Sequence, residues 1–113
     1  MINIRRLQED GADIIALIGE IDASSSIELD LAIARSLGEG YKQILVDCSA
    51  LEYISSAGLG VFMSYIEELK DKGVAMVLYG LSDRVINPFR ILGLDEMLAI
   101  AGTKEDAKKK AHG

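Results

Sequence analysis

Apolar and polar positions along the chain fall into blocks, and the blocks predict the elements. Residues 2–8 (INIRRLQ) and 12–19 (ADIIALIG) read as two strands, and EDGA between them supplies a short turn containing Gly11, so a hairpin is expected. In EIDASSSIELDLAIARSLGEG, Ile27, Leu31, Ala34 and Leu37 recur at helical spacing and predict a helix buried along that stripe. Serines 24 to 26 offer N-caps, Glu28 suits the positive end of the helix dipole, and Gly38 and Gly40 end the helix. Residues 41–49 (YKQILVDCS) form a strand whose continuous Ile-Leu-Val centre implies burial on both faces. Asp47 at its end reads as a turn or cap residue. The next helix runs to about residue 72, with Leu59, Phe62, Met63, Ile66 and Leu69 as its core stripe and Gly73 as its stop. VAMVLYG, 74–80, is a further buried strand. Asp83 is placed to cap a helix over 84–92, and Pro88 fits there only in a first turn with irregular residues before it. Residues 97–102 form a short strand, and Thr103 caps a last helix, KEDAKKKAH.

Strands that alternate with helices after a hairpin imply right-handed parallel crossovers. The expected fold is a single α/β domain over 1–113. It has a mixed, mostly parallel sheet of four to five strands and about four helices, with 103–113 as a C-terminal helix or tail. A length of 113 residues, half of them hydrophobic, supports one compact core. No apolar run approaches a membrane span, and MINIRRLQED lacks the apolar centre of a secretory signal, so a cytoplasmic protein without membrane contact is expected. The net charge of −6 argues against nucleic acid, which requires a basic footprint, and suits a basic protein partner. Lys108 to Lys110, the one basic cluster, reads as a solvated helix end. Cys48, the only cysteine, reads as a small half-buried residue, and one thiol with one histidine makes no zinc site.

Chemistry concentrates in YISSAGLG, residues 53–60. Ser56 sits as in a nucleophile elbow, but Ile54 stands where the elbow has glycine, and the sole histidine, His112, is one residue from the end. Gly58 and Gly60 match the first two glycines of a dinucleotide fingerprint and the third is missing. The carboxylate pairs Glu20 with Asp22 and Asp47 with Glu52 have no accompanying base or ligand cluster, so no cofactor or metal is expected. The serines then read as substrates. Ser55 or Ser56 occupies the N-cap or first turn, and the surrounding glycines and alanine keep the surface low enough for an enzyme to reach a hydroxyl. A wheel drawn around the predicted core stripe turns Ala57, Val61, Ser64 and Tyr65 outward, with Glu68 at their centre. A small, lightly polar patch beside a hydroxyl suits protein docking.

At these residues the sequence resembles the anti-sigma-factor antagonists of the bacterial STAS-domain family, whose usual motif is Asp-Ser-(Ser or Thr)-Gly-Leu-Gly after a strand and a short loop. VDCSALEYISSAGLGVF matches in length and placement, and GEID, 19–22, stands where the family shows Gly-Glu-Leu-Asp. The resemblance implies binding to an anti-sigma factor that is often also an ATP-dependent serine kinase. Binding frees a sigma factor, phosphorylation of the motif serine dissociates the pair, and a metal-dependent serine phosphatase restores it. The aligned glycines place the phosphoserine at Ser56, with Ser55 as its rival. The implied docking surface takes Asp22 and Ser24 from one loop and Ser55, Ser56, Ala57 and Gly58 from the next. Val61, Ser64 and Tyr65 follow along the helix. Two positions depart from the motif: Ser55 replaces its aspartate and Ala57 its serine or threonine. Two alternatives stand beside this reading: an unphosphorylated scaffold subunit of a signalling or transport assembly, and a nucleotide-binding module.

Overall fold

A computed structural model describes residues 1–113. In chain order the elements are β1 (Ile2–Glu9), β2 (Ala12–Ile21), α1 (Ser26–Gly38), β3 (Gln43–Ile54), α2 (Ser56–Lys72), β4 (Ala75–Tyr79), α3 (Asp83–Ile91), α4 (Leu94–Met97), β5 (Ala99–Ala101) and α5 (Lys104–His112). The strands form one sheet in the order β1-β2-β3-β4-β5; β1 and β2 are antiparallel and every later pair is parallel. The mixed sheet is as expected, with five helices instead of about four. The extra one, α4, is a single turn that follows Gly93 in the left-handed region (φ 73°). The hairpin closes on Glu9 and Ala12. Asp10 (φ 53°) and Gly11 (φ 80°) between them take the two positive φ values of a type I′ turn.

Helices α1, α2, α3 and α4 cover one face of the sheet and build the larger core, which includes Ile15, Leu17, Ile33, Val46, Phe62, Phe89 and Leu94. On the other face, Ala107 and Ala111 of α5 seal Ala12, Ile14, Leu45, Val77 and Tyr79. Ile44, Leu45 and Val46 are all fully buried, as their continuous run predicted.

Several expectations need correction. In α1 the buried residues are Leu29, Ala32, Ile33 and Leu37, while Ile27 and Leu31 are 64% and 52% exposed and Ala34 is exposed. Two apolar stripes compete on this helix, and the way its N-terminus is fixed selects the one that starts at Ser25 and Ser26. Strand β3 runs on to Ile54, where a loop was expected after residue 49. Across two register shifts it continues to pair with β2, through Gly19–Leu51 after the first and Glu20–Tyr53 after the second. On the other side of β2, Gly19 (φ 109°) admits the chain start, since a Cβ there would lie 2.6 Å from the carbonyl oxygen of Met1. Asp47 therefore lies inside a strand, where its Oδ1 accepts from the Ser49 N–H (2.9 Å) and Oγ–H (2.6 Å). Cys48 is fully buried rather than half-buried, and burial raises its thiol pKa, which keeps it protonated and unreactive.

In α3, Ser82 is the cap and accepts from the Val85 N–H (3.3 Å); Asp83 is the first helical residue. Pro88 lies in the helix interior, and the residues before it are helical. Buried Val85 and Phe89, the latter packed on Phe62 with ring centroids 5.8 Å apart, hold the segment helical against a proline cost of about 3 kcal/mol. The basic C-terminal run is not simply solvated: Lys108 pairs with Glu9 and with Asp10 (3.0 Å), and Lys104 reaches Glu9 (3.0 Å). These contacts lower the Glu9 pKa and raise that of Lys108.

Candidate functional site

The site begins with two loops drawn together at one end of the sheet. The Ser55 N–H donates to the carbonyl of Ile21 (2.8 Å), which joins the end of β2 to the start of α2. Asp22 and Ser24 thereby come to the same rim as Ser55 and Ser56. One oxygen of the Asp22 carboxylate is engaged there: Oδ1 accepts from the Ser24 hydroxyl (2.8 Å), the Ser25 N–H (2.8 Å) and the Ser25 hydroxyl (2.9 Å). In return the Asp22 N–H donates to Ser25 Oγ (2.9 Å). The backbone and hydroxyl donors hold the Asp22 pKa well below the usual carboxylate range. Asp22 is thus the acceptor that fixes the start of α1, while Ser24 stands exposed beside it.

The two candidate serines differ. Ser55 is the N-cap of α2, half-buried, and its Oγ accepts from the Gly58 N–H (3.2 Å). Ser56 is the first residue of the helix, exposed, and its hydroxyl has no hydrogen-bond partner in the chain. No acidic residue occupies the first turn of α2, in contrast to α1, α3 and α5. The partial positive charge of the helix start is therefore uncompensated beside that hydroxyl.

Gly58 is buried, and a Cβ there would lie 2.7 Å from Ile54 Cγ1 and 2.8 Å from Ile21 Cγ2. It lets the helix start lie against the ends of β2 and β3, and it presents no side chain to a partner. The outward face of α2 is also rotated from the expected one. Ser56, Ala57, Gly60, Met63, Ser64 and Glu67 are exposed, whereas Val61 and Tyr65 are half-buried against the larger core. The Tyr65 hydroxyl donates to the Asp30 carboxylate and to its carbonyl (3.2 Å), which ties α2 to α1; burial and this bond raise the phenol pKa. The Ser64 hydroxyl donates back to the Val61 carbonyl (2.7 Å). Met63, expected in the core, is 45% exposed, and Tyr53, just before the motif, is 49% exposed. Neither had been assigned to the surface. Of the expected stripe, Leu59, Phe62 and Leu69 are buried and Ile66 packs against the core, so Met63 alone is misplaced, and Gly58 shares the buried face. A small residue can mark a close helix–strand approach as firmly as a large one.

His112 sits on α5, on the opposite side of the sheet from α2, so it cannot act as base for Ser56. A rigid α/β platform that offers one unengaged hydroxyl beside a small, weakly polar surface has the makings of a protein-docking module. Comparison with known proteins gives that class a family. A STAS-domain model matches residues 3–107, and the chain belongs to the STAS-domain family. An anti-sigma-B factor antagonist of Listeria monocytogenes is 34% identical over 100 residues, covering 88% of this chain and 86% of that protein. The crystal structure of an anti-sigma factor antagonist from Mycobacterium paratuberculosis superposes with a TM-score of 0.91 at 23% identity, covering all of this chain and 96% of that one. The phosphorylated form of the Bacillus cell fate determinant SpoIIAA has the same fold, with a TM-score of 0.70 and 21% identity over 96% of this chain and 97% of that one. No helix is long and apolar enough to cross a membrane.

Proposed function

We propose that this chain is an anti-sigma factor antagonist whose hold on its partner is cancelled by phosphorylation of Ser56. The observation that carries the choice of residue is the division of labour between the two serines. Ser55 has its oxygen committed to the helix cap, and Ser56 has a free, exposed hydroxyl. The Listeria relative supports the antagonist reading, and the phosphorylated form of the Bacillus protein supports the modification.

A phosphate adds about −1.5 to −2 charges at pH 7. At the start of α2 it meets unpaired amide dipoles and no carboxylate in the first turn, so the domain accommodates it without unfolding. A partner packed over Ser56, Ala57, Gly60 and Met63 loses close contact and must desolvate a dianion, a penalty of a few kcal/mol and hence orders of magnitude in affinity. The switch acts by occlusion of an interface, with no refolding. The protein is substrate and ligand of an anti-sigma factor kinase, and substrate of a serine phosphatase, without a reaction of its own.

The experiment uses the Ser56→Ala protein as bait in native lysate. The recovered kinase is then incubated with the unmodified protein and ATP, and the modified peptide is mapped. Label at Ser56 supports the reading; label on neither serine removes the switch. Ser56→Ala retains the partner in the presence of ATP, and Ser56→Asp binds at least tenfold more weakly than the parent. Met63→Glu disrupts docking with an unchanged melting temperature. Val61→Glu is a poorer probe, since Val61 is packed against the core.

A further inference from the structure

α5 is anchored unlike α1, α2 and α3. α1 sets Leu29, Ile33 and Leu37 into the larger core, α2 sets Leu59, Phe62 and Leu69, and α3 sets Val85 and Phe89. The buried residues of α5 are Ala107 and Ala111 alone. Two methyl groups thus rest on a sheet face made of Ala12, Ile14, Leu45, Val77, Tyr79 and Ala101. No large side chain locks the helix into that face, so it can lift without drawing a knob from a packed hole. No backbone hydrogen bond joins α5 to another element. Only Gly102 and Thr103 connect it to β5, and Gly102 is exposed.

Charge supplies the remaining hold. Lys104 Nζ lies 3.0 Å from the Glu9 carboxylate, and Lys108 Nζ pairs with Glu9 and lies 3.0 Å from Asp10. Lys110 Nζ donates to the Ile100 carbonyl (2.9 Å). Two lysines therefore reach the turn of the β1–β2 hairpin and a third reaches β5. On a chain of net charge −6, residues 104–112 carry four lysines against two acids. A basic cover lies on an acidic body, so the attraction extends beyond the individual pairs. Pairs between partly exposed groups are weak and screened by salt. A helix of nine residues does not persist alone in water, so α5 released from the sheet melts in the same event.

We propose that α5 is a latch that opens as a unit while the sheet stays folded, and that Glu9, shared by Lys104 and Lys108, sets how often it opens. Opening uncovers Ile14, Leu45, Val77 and Tyr79 and breaks no bond of the β ladder. It is a local order–disorder transition drawn from the weakly anchored end of the molecule. Because α5 and α2 lie on opposite faces of the sheet, the latch is independent of Ser56 and of its modification.

The test is native-state hydrogen exchange on the full chain. In the parent, the amides of Ala107 to Ala111 exchange together. They exchange at least tenfold faster than those of Leu45 and Val77 within the sheet, and with a weaker dependence on denaturant. Glu9→Gln removes the carboxylate that both lysines share; it speeds the α5 amides severalfold, with a smaller effect on Leu45 and Val77. Lys108→Gln does the same from the other side of the pair. High salt accelerates the α5 amides in the parent and has less effect in Glu9→Gln. Exchange of α5 only together with the sheet, at the same rate and with the same denaturant dependence, overturns the proposal. So does an α5 rate that neither Glu9→Gln nor salt changes, since the helix is then held by its methyl contacts and not by the latch.

Discussion

At the scale of single residues, the hydroxyl of Ser55 holds a helix end while that of Ser56 faces solvent, although the two are adjacent and identical. Their division follows from backbone geometry. Ser55 has the extended φ/ψ of an N-cap (−81°, 169°), which aims its oxygen at the Gly58 N–H, and Ser56 has already entered the helix. Gly58 is fixed just as tightly, because the ends of β2 and β3 leave no room for a methyl group. Gly58→Ala is expected to destabilise the fold by about 1–3 kcal/mol in denaturant unfolding, as the branched carbons of Ile54 and Ile21 must shift. Ser36 is the converse case. Its Oγ is buried in α1 without a hydrogen-bond partner. Ser36→Ala removes a desolvated hydroxyl and is expected to raise stability by about 1 kcal/mol in the same measurement.

At the scale of elements, the start of α1 depends on one carboxylate. The serines were legible as capping residues, yet the principal acceptor is Asp22, upstream of all three. Because its pKa is lowered in the folded protein, it contributes stability that is complete above the ordinary carboxylate pKa and is lost as pH falls through the folded value. Wild-type protein is therefore expected to lose stability on acidification below about pH 4. Asp22→Asn starts from a lower melting temperature and loses less over the same interval; equal pH slopes for the two proteins would show that Asp22 is not responsible. The buried face of α1 and the exposure of Met63 in α2 differ from expectation for one reason. Each helix carries more apolar residues than one buried stripe needs, so Ile27, Leu31 and Met63 lie on periodic positions without being core. In α2, Gly58 and the tyrosine bond from Tyr65 to Asp30 choose the face.

At the scale of the whole molecule, the C-terminal segment is structural. α5 alone covers the second face of the sheet, and Lys104 and Lys108 join it to Glu9 and Asp10 across the full length of the chain. Removal of residues 103–113 is expected to expose Ile14, Leu45 and Val77, with increased binding of a hydrophobic dye and a broadened thermal transition. A truncated protein with the parent's sharp transition would show that α5 is dispensable. With α5 on one face and α2 on the other, the partner proposed at Ser56 would leave the second core undisturbed.

The sequence by itself determined the alternation of elements, the hairpin, the doubly buried β3 centre and the position of the motif at a helix start. Each of these rests on local spacing, turn chemistry or a continuous apolar run, all of which are properties of neighbours in the chain. Tertiary structure decided which stripe of α1 is buried, that Met63 of α2 stays outside the core, how far β3 extends, that Pro88 is held inside a helix, and that Ser56 rather than Ser55 has a free hydroxyl. Those outcomes depend on contacts between distant segments: the Met1 carbonyl over Gly19, Ile21 and Ile54 against Gly58, and Phe62 against Phe89. Periodicity within one element carries no record of which neighbour will arrive.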